Sequence, residues 1–232
     1  MRSLLFLMSL FVFAVFQSGA QDKVSATRSL DPFHSINVAS EIDAELVLSK
    51  EESIEIEIEG AETGKMITEV EDGILNVRMK TGSYKDATFK VKIHFKDISG
   101  IEATGRAAVW SQEDLYTGNL EIKLFNGGAT RLRLFCDTLD VNLSQGSILT
   151  LKGEGTIANL KVKTNATFNG YEFDCKDVFV NATSTGKAKV SVSNSLNAVA
   201  STGGFVGYVG NPKKVDRKVS LKGEIVEAIL EE

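Results

Sequence analysis

The 232-residue chain is poor in the residues that most often carry metal or redox chemistry, and in those that break strands. It has two Cys, two His, two Pro and one Trp. Two widely spaced cysteines, Cys136 and Cys175, make neither a disulfide framework nor a zinc finger. The two histidines, His34 and His94, leave no basis for a His-rich metal centre, and no metal site or cofactor is expected. A net charge of −5 argues against a nucleic-acid binder, which neutralises phosphates with Lys and Arg. Beyond the N-terminus no apolar run is long enough to cross a membrane as a helix. No segment keeps a helical period either.

What is present begins with a leader. Met1-Arg2 is a short positive region, Leu4 to Phe16 is apolar apart from Ser9, and Ser18-Gly19-Ala20 supplies small residues before Gln21. That pattern predicts a secretory signal peptide, residues 1–20, cleaved between Ala20 and Gln21. The chain is then expected to be exported, to the periplasm, the cell envelope or beyond, with no transmembrane segment left in it. Residues 21–32 read as a linker.

Residues 33–97 read as short strands between turn signals. Ile54, Ile56 and Ile58 alternate with Glu55, Glu57 and Glu59, and Phe89, Val91, Ile93 and Phe95 alternate with Lys90, Lys92 and His94. This is the period of strands with one wet face. From Ile98 a repeat sets in. Ile101, Leu120, Leu139, Leu160, Val178 and Ala198 open similar apolar phrases, most of them followed by a turn rich in Gly or Asn. A recurrence of roughly 20 residues with two or three short strands is one coil of a β-solenoid, and half of a propeller blade. The reading is therefore all-β: a strand-rich N-terminal part continuing into a right-handed parallel β-helix over residues 98–212. Residues 213–232, with Lys213, Lys214, Arg217, Lys218 and Lys222, read as a charged cap or tail.

Several motifs bear a resemblance. Phe33-His34-Ser35-Ile36-Asn37-Val38, Asp72-Gly73-Ile74-Leu75-Asn76-Val77 and Ile98-Ser99-Gly100-Ile101-Glu102-Ala103-Thr104-Gly105 resemble the auto-transporter adhesin, head GIN domain family of Bacteroidetes. So do Ala200-Ser201-Thr202-Gly203-Gly204 and Tyr208-Val209-Gly210-Asn211-Pro212. The resemblance implies an exported, solenoid-like β protein and brings no catalytic residues with it. Only 20 residues follow Pro212, so a self-translocating barrel is not expected.

The chemistry on offer is sparse. Glu55, Glu57 and Glu59 lie about 6.8 Å apart along one strand face and could hold Ca²⁺ or work as acid and base, or could simply be a solvated face. No Gly-x-Ser-x-Gly elbow marks a nucleophile. Trp110 and Tyr116 are the best aromatic pair for a sugar platform. The expected function is a non-enzymatic interaction or adhesion-like module with an envelope protein or glycan as partner. The alternative is a polysaccharide lyase or hydrolase on a β-helix. Residues 41–76 carry 12 acids and two bases, net −10, against +4 for residues 77–232; this predicts a dipolar molecule with salt-sensitive self-association. Cys136 and Cys175 fall at equivalent positions two coils apart, about 9.6 Å between Cα atoms. That is too far for a disulfide, so both are expected free.

Overall fold

The computed structural model describes residues 23–229; the leader and its Ala20–Gln21 junction lie outside them. Its strands are β1 (Lys23–Ser29), β2 (Ser35–Val38), β3 (Asp43–Leu48), β4 (Ser53–Glu59), β5 (Met66–Glu71), β6 (Ile74–Met79), β7 (Thr88–Phe95) and β8 (Gly100–Ala103). They continue with β9 (Ala108–Leu124), β10 (Ala129–Leu143), β11 (Ile148–Lys163), β12 (Thr167–Thr183), β13 (Lys187–Ser201), β14 (Phe205–Val209), β15 (Lys214–Val219) and β16 (Glu224–Glu227). The fold is all-β: mixed strands at the N-terminus, then a β-solenoid of ~7 turns with ~19 residues per turn.

From β9 to β13 each strand lies in parallel register on the next. The β9–β10 ladder runs in three stretches, Ala129–Arg131, Arg133–Cys136 and Thr138–Leu143 on the β10 side. Each stretch belongs to one wall of the solenoid. The first wall is continued toward the N-terminus by β3, β7, β4 and β1, and the third by β8, β2, β6 and β5. Alternation sends every second side chain inward, and stacking repeats it. Ile122, Val141, Leu160, Val180 and Ala198 form one such column, all buried.

The third wall passes to the first through a two-residue step in the left-handed region. Asn126-Gly127, Gln145-Gly146, Thr164-Asn165 and Ser184-Thr185 all have positive φ. These steps bond to one another: Gly127 N–H donates to Gln145 O at 3.0 Å, Gly146 N–H to Thr164 O at 3.1 Å and Asn165 N–H to Ser184 O at 3.2 Å. A small residue follows each step because the backbone of the preceding coil is close. A Cβ on Gly186 would lie 2.2 Å from the carbonyl oxygen of Val162.

Three expectations change. Leu120, Leu139 and Val178 occupy a different inward column from Ile101, Leu160 and Ala198, two residues earlier along the strand. A slip of two keeps a side chain on the same face, so alternation alone does not distinguish the columns. Residues 21–32 are not simply a linker: β1 pairs with β4 along its whole length. There Arg28 donates to Thr63 O, Met66 O and Thr68 Oγ1 at 2.7–2.9 Å. In the stretch read as a charged cap or tail, β15 and β16 stack on β13 and β14 as a further coil. The charge blocks are also not separated in space. β7, with Lys90 and Lys92, lies between acidic β3 and β4, and over residues 23–98 the balance is 15 acids to 10 bases.

Cys136 and Cys175 are free and in register through Gly155 between them. Two strand spacings, about 9.6 Å, exceed the reach of a disulfide. Burial pushes the Cys136 thiol up to about 12 and the Cys175 thiol up to about 11, which leaves both unreactive at neutral pH.

Candidate binding face

The outer surface of the first wall is where several of the candidate side chains converge. On β4 the glutamates point outward as the alternation requires, and β7 places a cation opposite two of them: Glu55 faces Lys92 and Glu57 faces Lys90. Lys92 in turn reaches Glu45 on β3 at 3.5 Å, His94 reaches Glu55 at 3.1 Å, and Lys23 on β1 reaches Glu57 at 2.8 Å. The hydrogen bond from Lys23 holds the Glu57 carboxyl below its usual range, and Lys96 does the same to Glu52. A general acid for glycoside cleavage needs the opposite shift. Among the described residues no cluster of three or more His, Cys, Asp or Glu could hold a metal ion.

These strands floor an open depression of about 480 Å³ whose far wall is Trp110. The indole is half-buried, and its Nε1–H donates to Asp43 Oδ1 at 2.6 Å. On its other side a second depression of about 520 Å³ runs across the first wall of the coils. Ala108 and Ala129, stacked in register with Ile148, form its floor. Ile148 stays 47% exposed, and Arg131 and Thr150 line the rim. Trp110 is thus a partition pinned between a charged hollow and an apolar one.

Tyr116 is not part of this arrangement. It lies on the middle wall, 69% exposed, stacked on Phe135 with centroids 4.9 Å apart and planes 11° apart. The Arg133 guanidinium lies 5.8 Å from the Phe135 centroid. The expected Trp110–Tyr116 platform is therefore two separate features, because the chain turns a corner between them where the β9–β10 register shifts. Six residues of sequence separation do not reveal that corner. Phe135 was legible in principle: it sits 19 residues after Tyr116, one coil on. The Ala108–Ala129–Ile148 floor was not, since two alanines and an isoleucine carry no chemical signature.

Residues 32–212 match the family described as "Putative auto-transporter adhesin, head GIN domain". The chain belongs to this family. The GIN-domain fold is shared with solved structures at low identity. A putative adhesin from Bacteroides fragilis superposes with a TM-score of 0.78 at 20% identity, covering 89% of this chain and 96% of that one. A putative adhesin from Parabacteroides merdae gives 0.74 at 20% identity with the same coverage. A putative lipid binding protein from Parabacteroides distasonis gives 0.69 at 16%, covering 90% and 97%. At such identities the likeness is one of fold. No curated protein matches the sequence.

Proposed function

We propose that this GIN-domain chain is an exported, non-catalytic binding module of the cell envelope whose Trp110 face receives a glycan. The observation that carries the reading is the indole of Trp110, fixed by Asp43 between two open depressions of about 480 and 520 Å³. A sugar ring offers an apolar C–H face to an aromatic plane and hydroxyls around its edge. Asp43, Arg131 and Thr150 surround the indole with the acceptors and donors those hydroxyls need. The leader pattern at residues 1–20 supports export, and two of the related structures are described as adhesins. Two of the three carboxylates of β4, Glu57 and Glu55, are engaged by Lys23 and His94, which favours holding a ligand over cleaving one.

A glycan array probed with the processed protein tests this. Binding to at least one glycan class is expected, and Trp110→Ala should weaken it by about tenfold or more while the far-ultraviolet spectrum stays unchanged. Equal binding by the variant, or no glycan bound by the folded wild type, would overturn the assignment.

A further inference from the structure

The two ends of the solenoid carry complementary edges. Among the described residues the free edges of the first wall are β1 and β16, and those of the third wall are β5 and β15. A free strand edge is a row of unpaired N–H and C=O groups, which proteins guard with charge. Here the guarding charges are opposite at the two ends of each wall. On the first wall β1 carries Lys23, which bridges to Glu57, and Arg28, held by Thr63, Met66 and Thr68, and no acid, while β16 carries Glu224 and Glu227, the second accepting from Tyr208, and no base. On the third wall the signs are reversed: β5 carries Glu69 and Glu71, whereas β15 carries Lys214 and Lys218 against a single Asp216, its Arg217 being turned onto Tyr208.

The C-terminal end is also apolar where it should be covered. Val215 and Val219 continue the inward columns of Leu196 and Ala200. Those two are 1% and 0% exposed, yet Val215 and Val219 are 37% and 55% exposed. Among the described residues these two columns run on to the rim and stop at solvent, with Arg217 between them over the Tyr208 ring.

We infer that the protein binds a second copy of itself head to tail, the β15–β16 rim of one molecule seating on the β5–β1 rim of the next, wall on wall. Both walls then bring cations to carboxylates. Turning one copy about the solenoid axis by one wall would set β15 on β1 in one sense, or β16 on β5 in the other, like charge on like in either case, which costs rather than stabilises. The charges therefore specify the rotation as well as the contact. Tail-to-tail pairing of β15 with β16 would neutralise one rim and leave the other bare, whereas head-to-tail pairing satisfies both rims of every copy. β15 and β5 are also matched in length at six residues each. A contact of this kind joins two different patches, so it propagates into rods unless the geometry closes a ring.

Sedimentation velocity on protein recovered from the periplasm of an expression host, with its leader removed, provides the test. At about 10 mM salt, where screening extends about 30 Å, the weight-average size should rise with concentration, and at about 1 M salt it should fall to that of the monomer. Two charge-reversed variants, Lys214→Glu with Lys218→Glu, and Glu69→Lys with Glu71→Lys, should each associate more than about tenfold more weakly than the wild type. Mixed in equal amounts they should associate again, since the acidic β15 of one meets the basic β5 of the other. Recovery in the mixture also shows that both variants are folded. A wild type that stays monomeric at low salt would overturn the inference. So would a Glu69→Lys/Glu71→Lys variant that associates as the wild type does, the tail-to-tail result, and so would a mixture that stays monomeric.

Discussion

The coils from β9 onward and the strands before β8 bury the same kind of core and handle charge in opposite ways. In the coils every residue sits on its equivalent one coil away, so a charged outward position repeated unchanged would stack like on like. One outward position up the coils carries Asp114, Arg133, Lys152 and Glu172 in turn, and the two adjoining cations each turn to the acid on their other side, Arg133 3.6 Å from Asp114 and Lys152 2.7 Å from Glu172. In the N-terminal part neighbouring strands are unlike one another, so each keeps a single sign: glutamates on β4, lysines on β7. Charge is therefore scattered in the coil sequence and blocked in the N-terminal sequence, although both are paired in space. A sequence block of one sign is a property of strands and says little about the field of the folded molecule.

Removing a core side chain should break the comparison most visibly. Phe168, 2% exposed in the middle of the coils, is bounded by coils on both sides, and Phe168→Ala should cost about 3–5 kcal/mol. Ile56→Val in β4 should cost about 0.5–1.5 kcal/mol. Urea melts of the two variants measure both values. Because stacked coils depend on their neighbours, the Phe168 variant should also broaden the transition, and an unchanged slope would argue that the coils melt as one unit.

Acid should separate the two regions next. Glu52 and Glu57 sit below their ordinary value of 4.5 in the folded protein because Lys96 and Lys23 bond to them. Such groups stabilise the fold fully above the unfolded value, and the contribution is lost as pH falls through the lowered one. Hydrogen exchange on acidification below about 4.5 should therefore release the amides of β4 and β7 before those of β10 and β11. Asp177, lowered by hydrogen bonds from Ser195 and Asn194, places β12 and β13 between the two. Simultaneous release would show that the N-terminal ion pairs do not set the local stability.

The smallest effect should be a gain. Thr130 is buried at 3% exposure between Val109 and Leu149 in an inward column, and its Oγ1 has no hydrogen-bond partner. Thr130→Val removes the orphan hydroxyl at nearly constant shape and should raise stability by about 1 kcal/mol. A loss measured by thermal or urea melting would indicate that the hydroxyl is solvated in the bore.

The difference between regions also explains what could be read in advance. Coil period, inward alternation and the cysteine register all follow from local spacing, and parallel stacking turns local spacing directly into contacts. The placement of β7 between β3 and β4 could not be read in this way, because alternation fixes which face is wet and leaves strand order open. β1 escaped notice because its inward positions are Val24, Ala26 and Arg28, too weakly apolar to announce a strand. The binding face suffered most: Trp110 stood out as the single tryptophan, while the depressions beside it are made by alanines and by strands far away in sequence.

The ladder of left-handed steps has a consequence for how the molecule can change length. Each step delivers the chain to the same place on the first wall, followed by a residue small enough for the same gap. Ser147 and Ala166 both fill that place, and Ile148 lies in register with Thr167. Excising residues 148–166 would thus join two ends that already occupy the same point of successive coils, and duplicating them would insert a coil between identical junctions. Neither change touches the charges of β1, β5, β15 or β16. Coil number is thus a variable that recombination can move in whole steps while the charges at the two ends stay as they were.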